Sequence, residues 1–270
     1  MRYFKQLHLS LFSILLIAGS AFSQPIPENQ YFNSEGVSIR YFELGSGEPV
    51  IAIHGYSSNS DAWLERVSGL AENHRLILFD QRGHGLSTKP HTVAEYGREM
   101  GQDVIRLMDH LSIPKAHILG YSLGVAPIGM VITENESRFI SAVFGGGAAR
   151  WEWGDASDLL NQQRYERFLN TSRRQALNPG IQEQDSIALA NLRLGEKQLL
   201  VSKQSLSNLS IPILAIVGSE DPALEAVENF KSTFPAIELI VVEGGTHLSV
   251  PGHPEFVESI QRFFAKNQEN

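Results

Sequence analysis

The stretch His117-Ile118-Leu119-Gly120-Tyr121-Ser122-Leu123-Gly124, followed by the apolar Val125-Ala126-Pro127-Ile128, decides the fold. An apolar run ends in a glycine, a serine follows two residues later, and a second glycine opens a run of helical character. Such a segment is a strand that turns at once into a helix. The turn must hold Ser122 in a strained backbone, and glycines two residues to either side relieve crowding there. The helix behind Ser122 presents the positive end of its dipole to any negative charge developing beside the hydroxyl. The Leu123 N–H is expected to point into the same place. In a chain of 270 residues the bare Gly-x-Ser-x-Gly pattern arises by chance in roughly one case in ten. Its weight therefore depends on what surrounds it.

On either side lie further short apolar runs, each stopped by turn residues. Val50 to Ile53 runs into His54-Gly55, Leu76 to Phe79 into Asp80, and Ile140 to Phe144 into Gly145. Ile213 to Val217 runs into Gly218, and Leu239 to Val242 into Glu243. Continuous runs of this length suit strands covered on both faces, as in a parallel sheet. Helical spacing fills the gaps. Trp63, Val67, Leu70 and Ala71 share a face, and so do Phe256, Ile260, Phe263 and Phe264. Thr92 to Glu95 has the form of a capping box. Val93, Tyr96, Met100, Val104, Leu107, Met108 and Leu111 then recur at helical spacing.

Alternation of strand and helix predicts an α/β domain with a mostly parallel, doubly wound sheet. Val37–Leu44 and Val50–Ile53, joined by Gly45-Ser46-Gly47-Glu48-Pro49, are expected to pair as an antiparallel hairpin at its start. From 150 to 208 the rhythm breaks into a polar, helical stretch without strand-like runs. A long stretch of this kind is expected to form a small helical cap inserted into the sheet domain. A series of ordinary crossover helices is the alternative.

The N-terminus carries Arg2 and Lys5, an apolar run from Leu9 to Ala18, and the small residues Ala21 and Ser23 around Phe22. That order predicts a secretory signal peptide cleaved after Ser23. The run is too short to span a bilayer comfortably, so no stable membrane anchor is expected. The expected division is a signal peptide at 1–23, a core at 24–149 and 209–270, and a cap at 150–208. The net charge of −8 becomes −10 once Arg2 and Lys5 are removed. It argues against nucleic acid or anionic membrane as a partner. There is no cysteine, which excludes disulfides, thiolate catalysis and cysteine-ligated zinc. Export without disulfides fits a bacterial periplasm or medium. No pattern speaks to oligomeric state.

A serine nucleophile needs a base, and the base needs an orienting carboxylate. His247 follows the last expected strand, in Gly244-Gly245-Thr246-His247, and of the 9 histidines only this one has such a place. Glu220 and Asp221, in Gly218-Ser219-Glu220-Asp221-Pro222, follow the strand before it. The C-terminal ends of parallel strands lie along one edge, so these loops can converge on Ser122. Asp80-Gln81-Arg82-Gly83-His84-Gly85-Leu86-Ser87 is glycine-rich but lacks phosphate-binding spacing. It is read as a loop-shaping element, with Arg82 paired to a carboxylate.

The Gly120–Gly124 turn, the later Asp221 and His247, and His54-Gly55 after an early strand together resemble the α/β-hydrolase fold superfamily, in its lidded branch. The resemblance covers about Gln30 to Asn267. It implies Ser122 as nucleophile, His247 as base and Asp221 as orienting acid. Asp221 is favoured over Glu220 because the family places the acid directly before Pro222 or its equivalent. It also implies an oxyanion hole from the backbone N–H groups of Leu123 and of Tyr56, the residue after His-Gly. His54 is then structural. A small-molecule substrate is implied, with no metal and no organic cofactor. Val125-Ala126-Pro127 departs from the family, which usually has a small residue next after the turn, and points to a changed helix entry. Serine in place of aspartate at 122 disfavours dehalogenase and epoxide hydrolase activity.

The expectation is an exported serine hydrolase that cleaves an ester or related acyl bond through an acyl-enzyme. A carbon–carbon bond hydrolase or a cofactor-free perhydrolase would use the same triad. A ligand-binding protein of this fold with little turnover would need no complete triad. Trp151, Trp153, Tyr165 and Phe168 could line an acyl pocket or simply pack the cap onto the core.

Overall fold

The apolar runs become strands of a single eight-stranded sheet in the computed structural model, which describes residues 27–152, 162, 163, 166 and 185–269. The strands are β1 Gln30–Ser34, β2 Val37–Leu44, β3 Glu48–Ile53, β4 His74–Phe79, β5 Ala116–Tyr121, β6 Phe139–Gly145, β7 Ile213–Gly218 and β8 Glu238–Val242. Their order across the sheet is β1-β2-β4-β3-β5-β6-β7-β8. Pairings from β4 through β8 are parallel, and only β1–β2 and β2–β4 are antiparallel. The expected doubly wound α/β sheet is what forms.

Helices cover both faces, which is why the inner strands read as continuous apolar runs. They are α1 Ser60–Val67, α2 Arg98–His110, α3 Val125–Glu134, α4 Ser186–Gly195, α5 Lys203–Ser207, α6 Leu224–Thr233 and α7 Pro254–Lys266. On one face Met100, Val104 and Leu107 of α2, Ile128 and Val131 of α3, and Phe230 of α6 pack on Ile51, Ile118 and Phe144. On the other, Trp63 and Val67 of α1 join Phe256, Ile260 and Phe264 of α7 against Val50, Leu119 and Ile216. The last strand differs: β8 is an edge, so Leu239 and Ile240 are half-buried and Val241 is exposed.

Two expectations are corrected. β2 and β3 do not form a hairpin, because β4 lies between them. The antiparallel hairpin is β1–β2, turning through Glu35-Gly36. The Gly45–Gly47 loop crosses the entry to β4 instead of closing a tight turn. A Cβ on Gly45 would lie 2.3 Å from the carbonyl oxygens of both Ala71 and His74. The capping box does not start α2 either. Thr92 and Glu95 do bond through their side chains, yet they hold only one 3-10 turn, Val93–Glu95. Gly97, with φ 62, breaks the chain before α2 begins at Arg98.

The signal peptide expected at 1–23 lies outside the described residues, and so does about half of the cap expected at 150–208. The described part of that stretch includes α4 and α5. Among the described residues no helix is long and apolar enough to cross a membrane.

Candidate active site

Ser122 leaves β5 with φ 55, a conformation that costs a non-glycine residue about 1–3 kcal/mol. Packing imposes it. A Cβ on Gly120 would lie 2.4 Å from the Gly124 carbonyl oxygen, and one on Gly124 would lie 2.6 Å from that of Ile53. The turn can therefore press β5, α3 and the end of β3 together only where side chains are missing. The strained backbone presents the Ser122 hydroxyl at the C-terminal edge of the sheet.

The loops after β7 and β8 meet it there. His247 Nε2 lies 2.9 Å from Ser122 Oγ. His247 Nδ1 lies 2.9 Å from Asp221 Oδ2 and 3.0 Å from Oδ1. The Asp221 side chain is wholly buried, and it also accepts the Ala223 N–H at 2.8 Å. Glu220 is exposed. Tyr121, one residue before the serine, donates its hydroxyl to the His247 carbonyl at 2.6 Å. Burial pushes that phenol above its ordinary range, so it stays a donor and ties the histidine loop to the elbow.

The loop after β3 supplies the third side. A Cβ on Gly55 would lie 3.4 Å from the Ser122 Cβ, so the Gly55-Tyr56 peptide abuts the serine. His54 is wholly buried, and burial holds its imidazole below the ordinary histidine range. Its Nε2 accepts the Gln81 N–H at 3.2 Å, which leaves Nδ1 to donate to the Gly55 carbonyl at 2.8 Å. A trans peptide points its N–H opposite to its C=O. Anchoring the Gly55 oxygen thus aims the Tyr56 N–H the other way. Leu123 follows the serine directly and lines the same cavity.

The Asp80–Ser87 loop shapes this region. Asp80 accepts from the Ser60 N–H and hydroxyl at 2.7 and 2.6 Å and from the Leu86 N–H at 2.7 Å. Arg82 makes a two-pronged pair with buried Asp103, at 2.7 and 2.6 Å.

A cavity of about 690 Å³ opens over Ser122 and His247. Ala126, Trp151, Ala223 and Ala226 give it apolar walls, while Arg150, Arg193, Glu196 and Asn229 give it polar ones. Trp151 is also packed on Phe230 and Phe234, with ring centroids 5.9 and 5.4 Å apart, so both readings of this residue hold together. Trp153, Tyr165 and Phe168 lie outside the described residues. Arg193 sits 3.8 Å above the Tyr56 ring and bonds to Glu196, whose side chain is 4% exposed. Sequence reading missed Arg193 and Glu196, since no local motif marks them. Among the described residues no three His, Asp or Glu side chains are grouped to hold a metal ion.

A family model described as alpha/beta hydrolase fold matches residues 48–180. An alpha/beta hydrolase enzyme from a Medee basin deep-sea metagenome library superposes with a TM-score of 0.77, over 89% of this chain and 99% of that one, at 17% identity. The chain belongs to the α/β-hydrolase superfamily. This α/β-hydrolase also shares its fold with a thermophilic esterase from Thermogutta terrifontis, at TM-score 0.74 and 21% identity, over 90% of this chain and 100% of that one. Among curated relatives, it is 26% identical over 211 residues to 3-oxoadipate enol-lactonase 2 of Acinetobacter baylyi, covering 70% of this chain and 78% of that protein. It is 32% identical over 155 residues to the dihydrolipoyllysine-residue acetyltransferase component of an acetoin cleaving system of Pseudomonas putida, covering 57% of this chain. The match covers 40% of that protein, and 43% of the Cupriavidus necator counterpart.

Proposed function

We propose that this α/β-hydrolase is an exported serine hydrolase that cleaves an ester, lactone or related acyl bond of a small molecule through an acyl-enzyme on Ser122. The observation that carries the reading is the unbroken chain from Ser122 Oγ through His247 to buried Asp221, at 2.9 Å for each step. Names of relatives agree in kind, an enol-lactonase and an esterase among them.

The chemistry follows from the geometry. Ser122 Oγ attacks the acyl carbon as its proton passes to His247 Nε2. Asp221 holds the imidazole with Nε2 toward the serine and stabilises the imidazolium that forms. The carbonyl oxygen becomes an oxyanion facing the Leu123 and Tyr56 N–H groups, and each such donor contributes roughly 3 kcal/mol. Collapse breaks the bond to the leaving oxygen, which takes the proton from His247. Water then gives a proton to His247, attacks the acyl carbon, and releases the acid and free Ser122.

In this reading residues 150–208 cap the site, with Trp151 and Arg193 already reaching its cavity. Residues 1–23 direct export, so the mature protein should begin at Gln24. Treatment with a fluorophosphonate, followed by intact-mass analysis, should show one adduct on Ser122 that is absent in Ser122→Ala. A folded sample that gives no adduct and no turnover of short p-nitrophenyl esters would overturn the proposal in favour of a binding protein.

A further inference from the structure

We propose that His84 is a positioning residue for the oxyanion loop, accepting the Ser57 N–H at its Nε2 and so fixing the peptide beside Tyr56. The inference rests on the serine-hydrolase reading and names a residue that the reaction steps do not use. The Gly55–Ser58 turn is closed by the Ser58 N–H on the Gly55 carbonyl at 3.3 Å. Ser57 sits within it at φ 60, a strained value for a residue with a side chain. Something must hold it there. His84 Nε2 lies 3.2 Å from the Ser57 nitrogen. The backbone N–H can only donate, so Nε2 must carry a lone pair. Nδ1 lies 3.3 Å from the Arg82 carbonyl and therefore carries the hydrogen.

His54 makes the matching arrangement one peptide earlier, and the two rings stand 5.0 Å apart, edge to face. Two neutral imidazoles thus grip successive peptides of one turn. His54 holds Gly55-Tyr56 by its carbonyl, and His84 holds Tyr56-Ser57 by its N–H. Rotating the second peptide would turn the Tyr56 carbonyl onto the His84 lone pair, acceptor against acceptor. Loss of that acceptor removes one hold on the strained Ser57 and, with it, part of what aims the Tyr56 N–H. His84 is 1% exposed, and burial, reinforced by nearby His54, keeps it well below the ordinary histidine range and hence neutral. The Asp80–Ser87 loop therefore contributes to the site from the side away from substrate.

The test compares wild type with His84→Phe and His84→Met, which lack the acceptor, and His84→Gln, whose amide oxygen reaches the same N–H. Each is assayed with p-nitrophenyl acetate and with a short alkyl trifluoromethyl ketone, whose hemiketal oxyanion probes the hole. The Phe and Met variants should lose about 10- to 100-fold in kcat, part of the loss for a missing oxyanion donor. KM should stay within about three-fold, and ketone affinity should fall in parallel with kcat. The Gln variant should recover kcat to within about five-fold of wild type. Should the Phe variant fail to fold, the Met and Gln variants decide by the same readouts. Full kcat without the acceptor, lost kcat with ketone affinity unchanged, or a folded Gln variant as impaired as Met overturns the inference alone. A wild type that neither turns over the ester nor takes the fluorophosphonate overturns the function beneath it.

Discussion

In the proposed mechanism Ser122 acts only if His247 keeps its Nε2 unprotonated and facing the hydroxyl, and a single carboxylate decides this. Asp221 accepts from His247 Nδ1 with both oxygens, at 2.9 and 3.0 Å, which fixes the hydrogen on Nδ1. An amide in its place can turn its NH₂ toward Nδ1 and force the wrong tautomer. Asp221→Asn should lower kcat for p-nitrophenyl acetate by about 10²- to 10⁴-fold with little change in unfolding midpoint. Glu220→Gln should leave kcat within about two-fold, since that side chain is exposed. A larger loss in Glu220→Gln than in Asp221→Asn would reverse the assignment of the acid. Ser122, Asp221 and His247 were legible because each follows an apolar run that ends in a glycine-containing turn. Arg193 and Glu196 were not, because they reach the cavity only through the placement of α4 and the turn after it.

At the scale of elements, the site is set by how closely backbones approach. The end of β3 touches Gly124, so the oxyanion loop and the elbow share one contact. Gly124→Ala would place a Cβ 2.6 Å from the Ile53 oxygen and 2.8 Å from that of His54. Those are backbone atoms where the central strand β3 ends, and the His54 oxygen is further held by the Gln81 side-chain amide, so neither moves singly. Overpacking of this kind costs roughly 1–3 kcal/mol, and here the displaced strand end leads into the loop that carries Tyr56. Gly124→Ala should therefore lower both the unfolding midpoint and kcat, the latter by about ten-fold or more. A variant with a lowered midpoint and full kcat would show that the two loops are not coupled. The same kind of contact explains where sequence reading stopped. Strand identity is written in local apolar runs, and six strands were legible that way. Strand neighbours are not: that β4 enters between β2 and β3 depends on Gly45 passing over Ala71 and His74. The start of α2 was misplaced for a related reason. Tyr96 fits the helical spacing but is buried as an extended residue, its hydroxyl donating to the Pro90 carbonyl at 2.7 Å.

Across the whole molecule, the sheet carries buried imidazoles at both ends, and together they set how it tolerates acid. His54 and His84 lie near the edge that carries Ser122. His117 lies toward the other end of β5, wholly buried between Ser141 Oγ, at 2.7 Å from Nδ1, and Glu48 Oε2, at 3.3 Å from Nε2. Burial lowers His117 to about 4, against the partial opposition of Glu48. His54 and His84 are lowered by burial too. Each of these groups is neutral in the fold and titrates near pH 6.5 once unfolded. Between those values the unfolded chain binds more protons, so stability is complete above about pH 6.5 and falls as pH drops. For His117 the loss continues to about pH 4, at up to roughly 1.4 kcal/mol per pH unit. Urea unfolding of wild type at pH 7, 6, 5 and 4.5 should show that decline. His117→Gln can keep both hydrogen bonds without titrating, and its decline over the same range should be shallower, by up to about 1 kcal/mol per unit. Parallel slopes for the two proteins would mean that His117 is already protonated in the fold, paired with Glu48 as an ion pair across the base of the sheet.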